Sequence, residues 1–135
     1  MTSESGADIV VERRIAASPA TVFSFFSDVT RWLRWQGVEA DIELEPGGVF
    51  RMNVRGDGFA SGTFLEVVPE RRLVFTWVWD DDPSHPQLIE LEFAERDGAT
   101  TVRMTNSGIT TEKGRDEHEH GWQKCFDNLD RALAA

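Results

Sequence analysis

The side chains able to do chemistry are few, and many sit in two acidic stretches. The first is Asp116-Glu117-His118-Glu119-His120. His118 stands four residues before Trp122, so on a helix both project from one face. At the mouth of a cavity an imidazole there could act as an acid, a base or a hydrogen-bond donor. The plainer alternative, a solvated histidine among carboxylates, is favoured by its acidic neighbours. His118 and His120 point about 200° apart on a helix, so they cannot chelate one ion together. The H-E-x-x-H zinc pattern is absent. The second stretch is Asp80-Asp81-Asp82-Pro83-Ser84-His85. It has carboxylates enough for calcium but lacks the ordered spacing and central glycine of an EF-hand loop. A solvated hairpin loop fits better. Trp77 and Trp79 directly precede it, so it could gate a cavity.

Other candidates are weaker. Cys125 has Lys124 as its neighbour, but adjacent residues do not face each other on a helix, so nothing activates the thiol. It is expected to be a small core residue. Gly58-Phe59-Ala60-Ser61-Gly62 lies among strands and is not a strand-to-helix nucleophile elbow. Gly56, Gly58 and Gly62 miss the dinucleotide fingerprint. Glu66 and Asn106 are candidates for polar groups inside a cavity, and a carboxyl there could serve as a general acid or base. Alternation leaves the facing of Glu66 open, because both faces of residues 59–68 carry apolar side chains. No catalytic set is evident, and neither a metal nor a cofactor is expected.

These residues need elements to position them. Residues 1–7 are small and polar and are expected to be a disordered tail; residues 8–135 form one domain. Ile9 to Ile15 reads as a strand. Ser18-Pro19 is an N-cap followed by an N1 proline. Val22, Phe23, Phe26 and Val29 then recur at helical spacing. Trp32 and Trp35 lie three apart and suit a second short helical turn. Beyond residue 41 the period is two. Phe50, Met52 and Val54 alternate with Arg51, Asn53 and Arg55. Residues 59–68 form a longer strand, where Gly62 marks a bulge or a close backbone approach. Leu73, Phe75, Trp77 and Trp79 alternate next, then Ile89, Leu91 and Phe93. Arg96-Asp97-Gly98 is a tight turn, and Val102 and Met104 point inward from the last strand. Arg51, Arg55 and Arg103 are expected to pair with Glu90 and Glu92 on the outer face. From about Thr111 the chain is helical, with Trp122, Phe126, Leu129 and Leu133 in one stripe and Gly121 as the helix-weak residue.

The order is α+β: a strand, two short helices, a meander of about six strands, and a long helix. One helix is about 10 Å wide, narrower than a sheet of six or seven strands. A cavity between them follows, lined or filled by Phe50, Met52, Phe75, Trp77, Trp79, Ile89, Leu91, Met104, Trp122 and Phe126. A mostly apolar wall with a few polar groups favours a ligand site over a solid core.

The whole chain has 135 residues and a formal net charge of −10. Such an acidic domain repels phosphate backbones and anionic bilayers, so neither nucleic acid nor a membrane is an expected partner. No apolar run approaches the roughly 20 residues of a membrane helix. Met1 to Gly6 lacks the pattern of a signal peptide. The single cysteine excludes an intrachain disulfide and fits a reduced, cytoplasmic setting.

Several motifs in order carry a resemblance. Gly47-Gly48-Val49-Phe50 opens a strand, and Gly62 lies within the next. Pro69-Glu70-Arg71-Arg72-Leu73-Val74-Phe75-Thr76-Trp77 resembles a P-x-x-x-L-V-F-T-W segment. Gly98-Ala99-Thr100 precedes the last strand. His120-Gly121-Trp122, followed by Leu129, resembles an H-x-x-G-W-x-x-x-L-x-x-L helix, read loosely. Trp35 matches a tryptophan after the first helices. Residues 8–135 thus resemble the START-like (SRPBCC) superfamily, in the branch named after activators of the heat-shock-protein-90 ATPase. That resemblance implies a helix-grip fold, a curved antiparallel sheet wrapped around the C-terminal helix, with a deep apolar cavity. It also implies binding of hydrophobic or amphipathic small molecules. Some relatives act as aromatase/cyclases on polyketides, some confer resistance by engaging a toxic natural product, and some bind chaperones.

The expected function is binding of a hydrophobic small molecule. The alternatives are a polyketide cyclase/aromatase-like enzyme using His118 or Glu66, and a chaperone-associated interaction module. A homodimer stays open.

Overall fold

The structure, a computed structural model, describes residues 8–56 and 58–134. The tail expected at 1–7 lies outside them. Seven antiparallel strands form one sheet in the order β1-β7-β6-β5-β4-β3-β2. They are β1 (Ile9–Ile15), β2 (Glu39–Ile42), β3 (Val49–Asn53), β4 (Phe59–Val68), β5 (Arg72–Trp79), β6 (Gln87–Arg96) and β7 (Ala99–Ser107). Helices α1 (Pro19–Ser27) and α2 (Val29–Trp32) follow β1, and α3 (Glu112–Ala134) closes the chain. The α+β order expected from the elements is present, in the helix-grip arrangement that the family resemblance implies. Strand β2 adds an edge that the sequence reading did not name.

Local chemistry explains the boundaries. The Ser18 hydroxyl accepts the Thr21 backbone N–H at 3.3 Å, and Pro19 occupies the first turn of α1. Asp28 ends α1 and caps α2, accepting from the backbone N–H groups of Thr30 and Arg31. Between β6 and β7, Asp97 and Gly98 both have positive φ, the geometry of a type I′ hairpin turn. In β4 the register shifts between Phe64 and Glu66, so the bulge sits at Leu65 rather than at Gly62. Gly62 instead marks the close approach of two backbones.

Helices α1 and α2 fold over one half of the concave face. Trp32 and Trp35 stack on each other at 5.7 Å. Trp32 meets Phe75 edge-on, Trp35 lies over Phe126, and Phe26 touches Trp32, Trp35 and Phe93. This aromatic block joins sheet, short helices and α3 in one core. Arg13 of β1 clamps the far end of α3 through Asp130 at 2.7 Å and Asp127 at 3.1 Å.

The outer face departs from the expected pairing. Arg72, placed between β4 and β6, gathers Glu66, Glu90 and Glu92 at 2.8–3.1 Å. Arg51 pairs with Asp80 through two bonds of 3.0 and 2.6 Å, and Arg103 pairs with Glu12. Arg55 lies over the Trp79 ring at 4.9 Å. The registers explain the change: Arg72 stands opposite Glu92 and beside the row carrying Glu90. Helix α3 also holds a second glycine, Gly114, besides Gly121.

Candidate functional site

The two short helices leave the other half of the concave face uncovered. There the N-terminal half of α3 spans a cleft of about 700 Å³. Its floor comes from Trp77 and Trp79 at the end of β5, Gln87 and Ile89 at the start of β6, and Asn106 at the end of β7. Alternation explains these positions. Residues 87, 89, 91 and 93 of β6 all turn inward. From α3, His118, Trp122 and Cys125 face the cleft on successive turns. The segment Trp35 to Val38, after α2, closes a third side with Val54 and Arg55, just beyond the end of β3.

The polar groups of the cleft form one chain of hydrogen bonds. The indole N–H of Trp122 donates to Asn106 Oδ1 at 3.0 Å. Asn106 Nδ2 donates to Gln87 Oε1 at 3.1 Å. Gln87 Nε2 reaches His118 Nε2 at 3.3 Å, and the Trp79 indole N–H reaches the same nitrogen at 3.1 Å. His118 Nδ1 lies 2.6 Å from the Gly114 carbonyl oxygen. Indoles only donate and carbonyls only accept, so the two ends fix every group between them. His118 is therefore the neutral tautomer with its proton on Nδ1, and its Nε2 accepts. No buried side-chain nitrogen or oxygen among the described residues lacks a partner.

The lining expected from sequence divides. Trp77, Trp79, Ile89 and Trp122 border the cleft. Phe50, Met52, Phe75, Leu91, Met104 and Phe126 are buried but do not border it. Phe75 and Phe126 lie under Trp32 and Trp35, where α2 fills the space, and Phe50 packs on Phe64 and Phe75. Asn106 enters the cleft, as does His118, which is not the fully solvated residue favoured from its neighbours. Glu66 does not enter. Its side chain is 47% exposed and paired with Arg72 on the outer face. The bulge at Leu65 shifts the alternation there, which removes Glu66 as an acid or base for the cleft. Gln87 was missed, although it is two residues before Ile89 and in phase with it. The Asp80–His85 loop does border the cleft, through Asp81 and Asp82, and Asp82 holds His85 at 2.7 Å. The Arg51 hydrogen bond keeps the Asp80 carboxyl below the ordinary carboxylate range. Among the described residues no group of three or more His, Cys, Asp or Glu could hold a metal ion. None of their helices is long and apolar enough to cross a membrane.

Cys125 sits on the cleft wall rather than deep in the core. Burial pushes its thiol up to about 11, outweighing Lys124 and a hydrogen bond with Gln36. The thiol is therefore protonated at neutral pH. Alkylation by iodoacetamide at pH 7.5 should run about a hundredfold slower than for a free thiol and rise toward pH 11. Between about pH 9 and 11 the unfolded chain gives up a proton that the folded one keeps, so stability should fall as pH rises through that window. Labelling at the rate of a free thiol would show that Cys125 is not held in this wall.

Residues 16–134 match the family described as Activator of Hsp90 ATPase homolog 1-like protein. The human activator of 90 kDa heat shock protein ATPase homolog 1 is 28% identical over 119 residues, 87% of this chain and 34% of that protein. The chain thus spans about a third of the length of the curated relatives it matches. The solved structure of CalU16 from Micromonospora echinospora is 29% identical, with a TM-score of 0.79 over 93% of this chain and 75% of that one. DynU16, from the dynemicin biosynthetic locus, shares the fold at a TM-score of 0.88 and 19% identity, over 96% of this chain and 48% of that one.

Proposed function

This chain belongs to the Activator of Hsp90 ATPase homolog 1-like family, of the SRPBCC fold type, and on that premise we propose that it binds a hydrophobic or amphipathic small molecule in the cleft between sheet and α3. The cleft itself carries the reading. Its volume of about 700 Å³ suits a small-molecule site. Four of the chain's five tryptophans border it, and their faces favour planar ligands. A cyclase-like role would need a free acid or base. Both nitrogens of His118 are engaged and Glu66 faces outward, so neither of the two candidates is assigned a catalytic role. A chaperone-associated role is favoured by the names of the curated relatives and by no feature of the cleft.

The test is a thermal-shift panel of fatty acids, sterols, flavonoids and aromatic polyketides. A ligand at a hundred times its Kd adds about 2.7 kcal/mol. The melting temperature should rise saturably by roughly 5 °C or more for one class. Trp77→Ala should still melt cooperatively and bind that class about 10- to 100-fold more weakly. A cooperative melt unmoved by every class would turn the reading toward protein interaction.

A further inference from the structure

The hydrogen-bond chain in the cleft has more donors than it can use. His118 Nε2 offers one in-plane lone pair, yet both Trp79 Nε1 and Gln87 Nε2 point at it, at 3.1 and 3.3 Å. The lone pair cannot serve both well. Trp79 has one N–H and is nearer. The Gln87 amide has two, and its oxygen is already committed to Asn106. Gln87 is itself 6% exposed, so water reaches it poorly. A buried donor without a full acceptor is costly, and an oxygen brought by a ligand would relieve it. The rim carries Asp81, Asp82 and Glu117 against Arg55 and Lys124, on a chain of net charge −10. That field disfavours an anionic oxygen.

Building on the ligand-binding reading above, we infer that the ligand is an uncharged, planar aromatic ketone whose carbonyl oxygen accepts from the side-chain amide of Gln87. The rings lie among Trp77, Trp79 and Trp122. His118 is a positioning residue: with Nδ1 held by Gly114, its Nε2 keeps the Trp79 indole and leaves an amide hydrogen of Gln87 for the ligand. The cleft then selects by polarity as well as shape, because a site built around a donor rejects the hydrocarbon that cannot satisfy it.

Two probes of one shape isolate that carbonyl: 9-fluorenone and fluorene. Each is titrated into ¹⁵N-labelled protein while the glutamine side-chain and tryptophan indole N–H resonances are followed. Fluorenone should bind about tenfold more tightly than fluorene. The side-chain amide signal of Gln87 should move with fluorenone alone. Gln87→Glu keeps an acceptor for Asn106 but removes the donor, and Gln87→Met removes both. Each should bring the two probes within about threefold while fluorene still binds. A fluorenone carboxylate should bind more weakly than fluorenone. Equal binding of both probes to the unsubstituted protein overturns the inference and leaves ligand binding standing. So does a ketone preference that survives both variants, or a carboxylate that binds best. If fluorenone does not bind but a member of the thermal-shift panel does, the inference fails alone. If nothing binds, both readings fail.

Discussion

Replacing Trp35 with alanine should destabilise the protein by about 3–5 kcal/mol, the range for a buried tryptophan or phenylalanine truncation. The ring is 2% exposed. It stacks on Trp32 at 5.7 Å and Phe126 at 6.2 Å and meets Phe26 at 4.9 Å. Its N–H donates to the Phe25 carbonyl at 2.9 Å, so truncation also strands a buried acceptor. A domain has only about 5–15 kcal/mol to lose. The melting temperature should therefore fall by roughly 10 °C or more, or the chain should fail to fold. A drop of only a degree or two would mean that the Trp35 stack does not pin the core. The wall that Trp35 to Val38 give the cleft would then be looser than the structure has it.

Gly62→Ala should cost about 3 kcal/mol, at the upper end for overpacking. An added methyl would sit 1.9 Å from the Thr76 carbonyl oxygen and 2.7 Å from the Phe50 ring. The first contact is with the backbone of the next strand, which cannot swing aside as a side chain can. Relief requires β4 and β5 to part where Thr63 N–H already bonds the Thr76 hydroxyl at 2.9 Å. Gly121→Ala is the counterpart with opposite sign. Nothing lies within 4 Å of the new methyl, and glycine inside a helix is unfavourable by about 1 kcal/mol relative to alanine. That substitution should be neutral or stabilising. Urea denaturation of both variants measures the contrast. A Gly62→Ala loss below 1 kcal/mol would show that the two strands yield more easily than their spacing implies.

The amino-acid sequence by itself determined the elements and which face of most of them is apolar. Period-two alternation marked β3 and β5 to β7, and the stripe of Trp122, Phe126 and Leu129 marked α3. Ser18-Pro19 and Asp97-Gly98 marked a helix start and a hairpin. These are local properties, set by backbone geometry within a few residues. They placed Trp77, Trp79 and Trp122 on the inner side before any fold was in hand. Extended two residues further, the β6 alternation would have added Gln87.

Tertiary structure alone decided which inner residues border a cleft and which are buried under others. Phe75 and Trp77 are equivalent by alternation, yet Trp32 covers the first and the second stays at the cleft. The distinction depends on where α1 and α2 land on the sheet, and periodicity along one strand holds no such information. Glu66 turned on a single register shift, because one extra residue at Leu65 moves every later side chain in β4 to the other face. His118 looked solvated among acidic neighbours because the groups that hold it are remote in sequence. Trp79 is 39 residues away and Gln87 is 31. Only the closing of α3 over the sheet joins them.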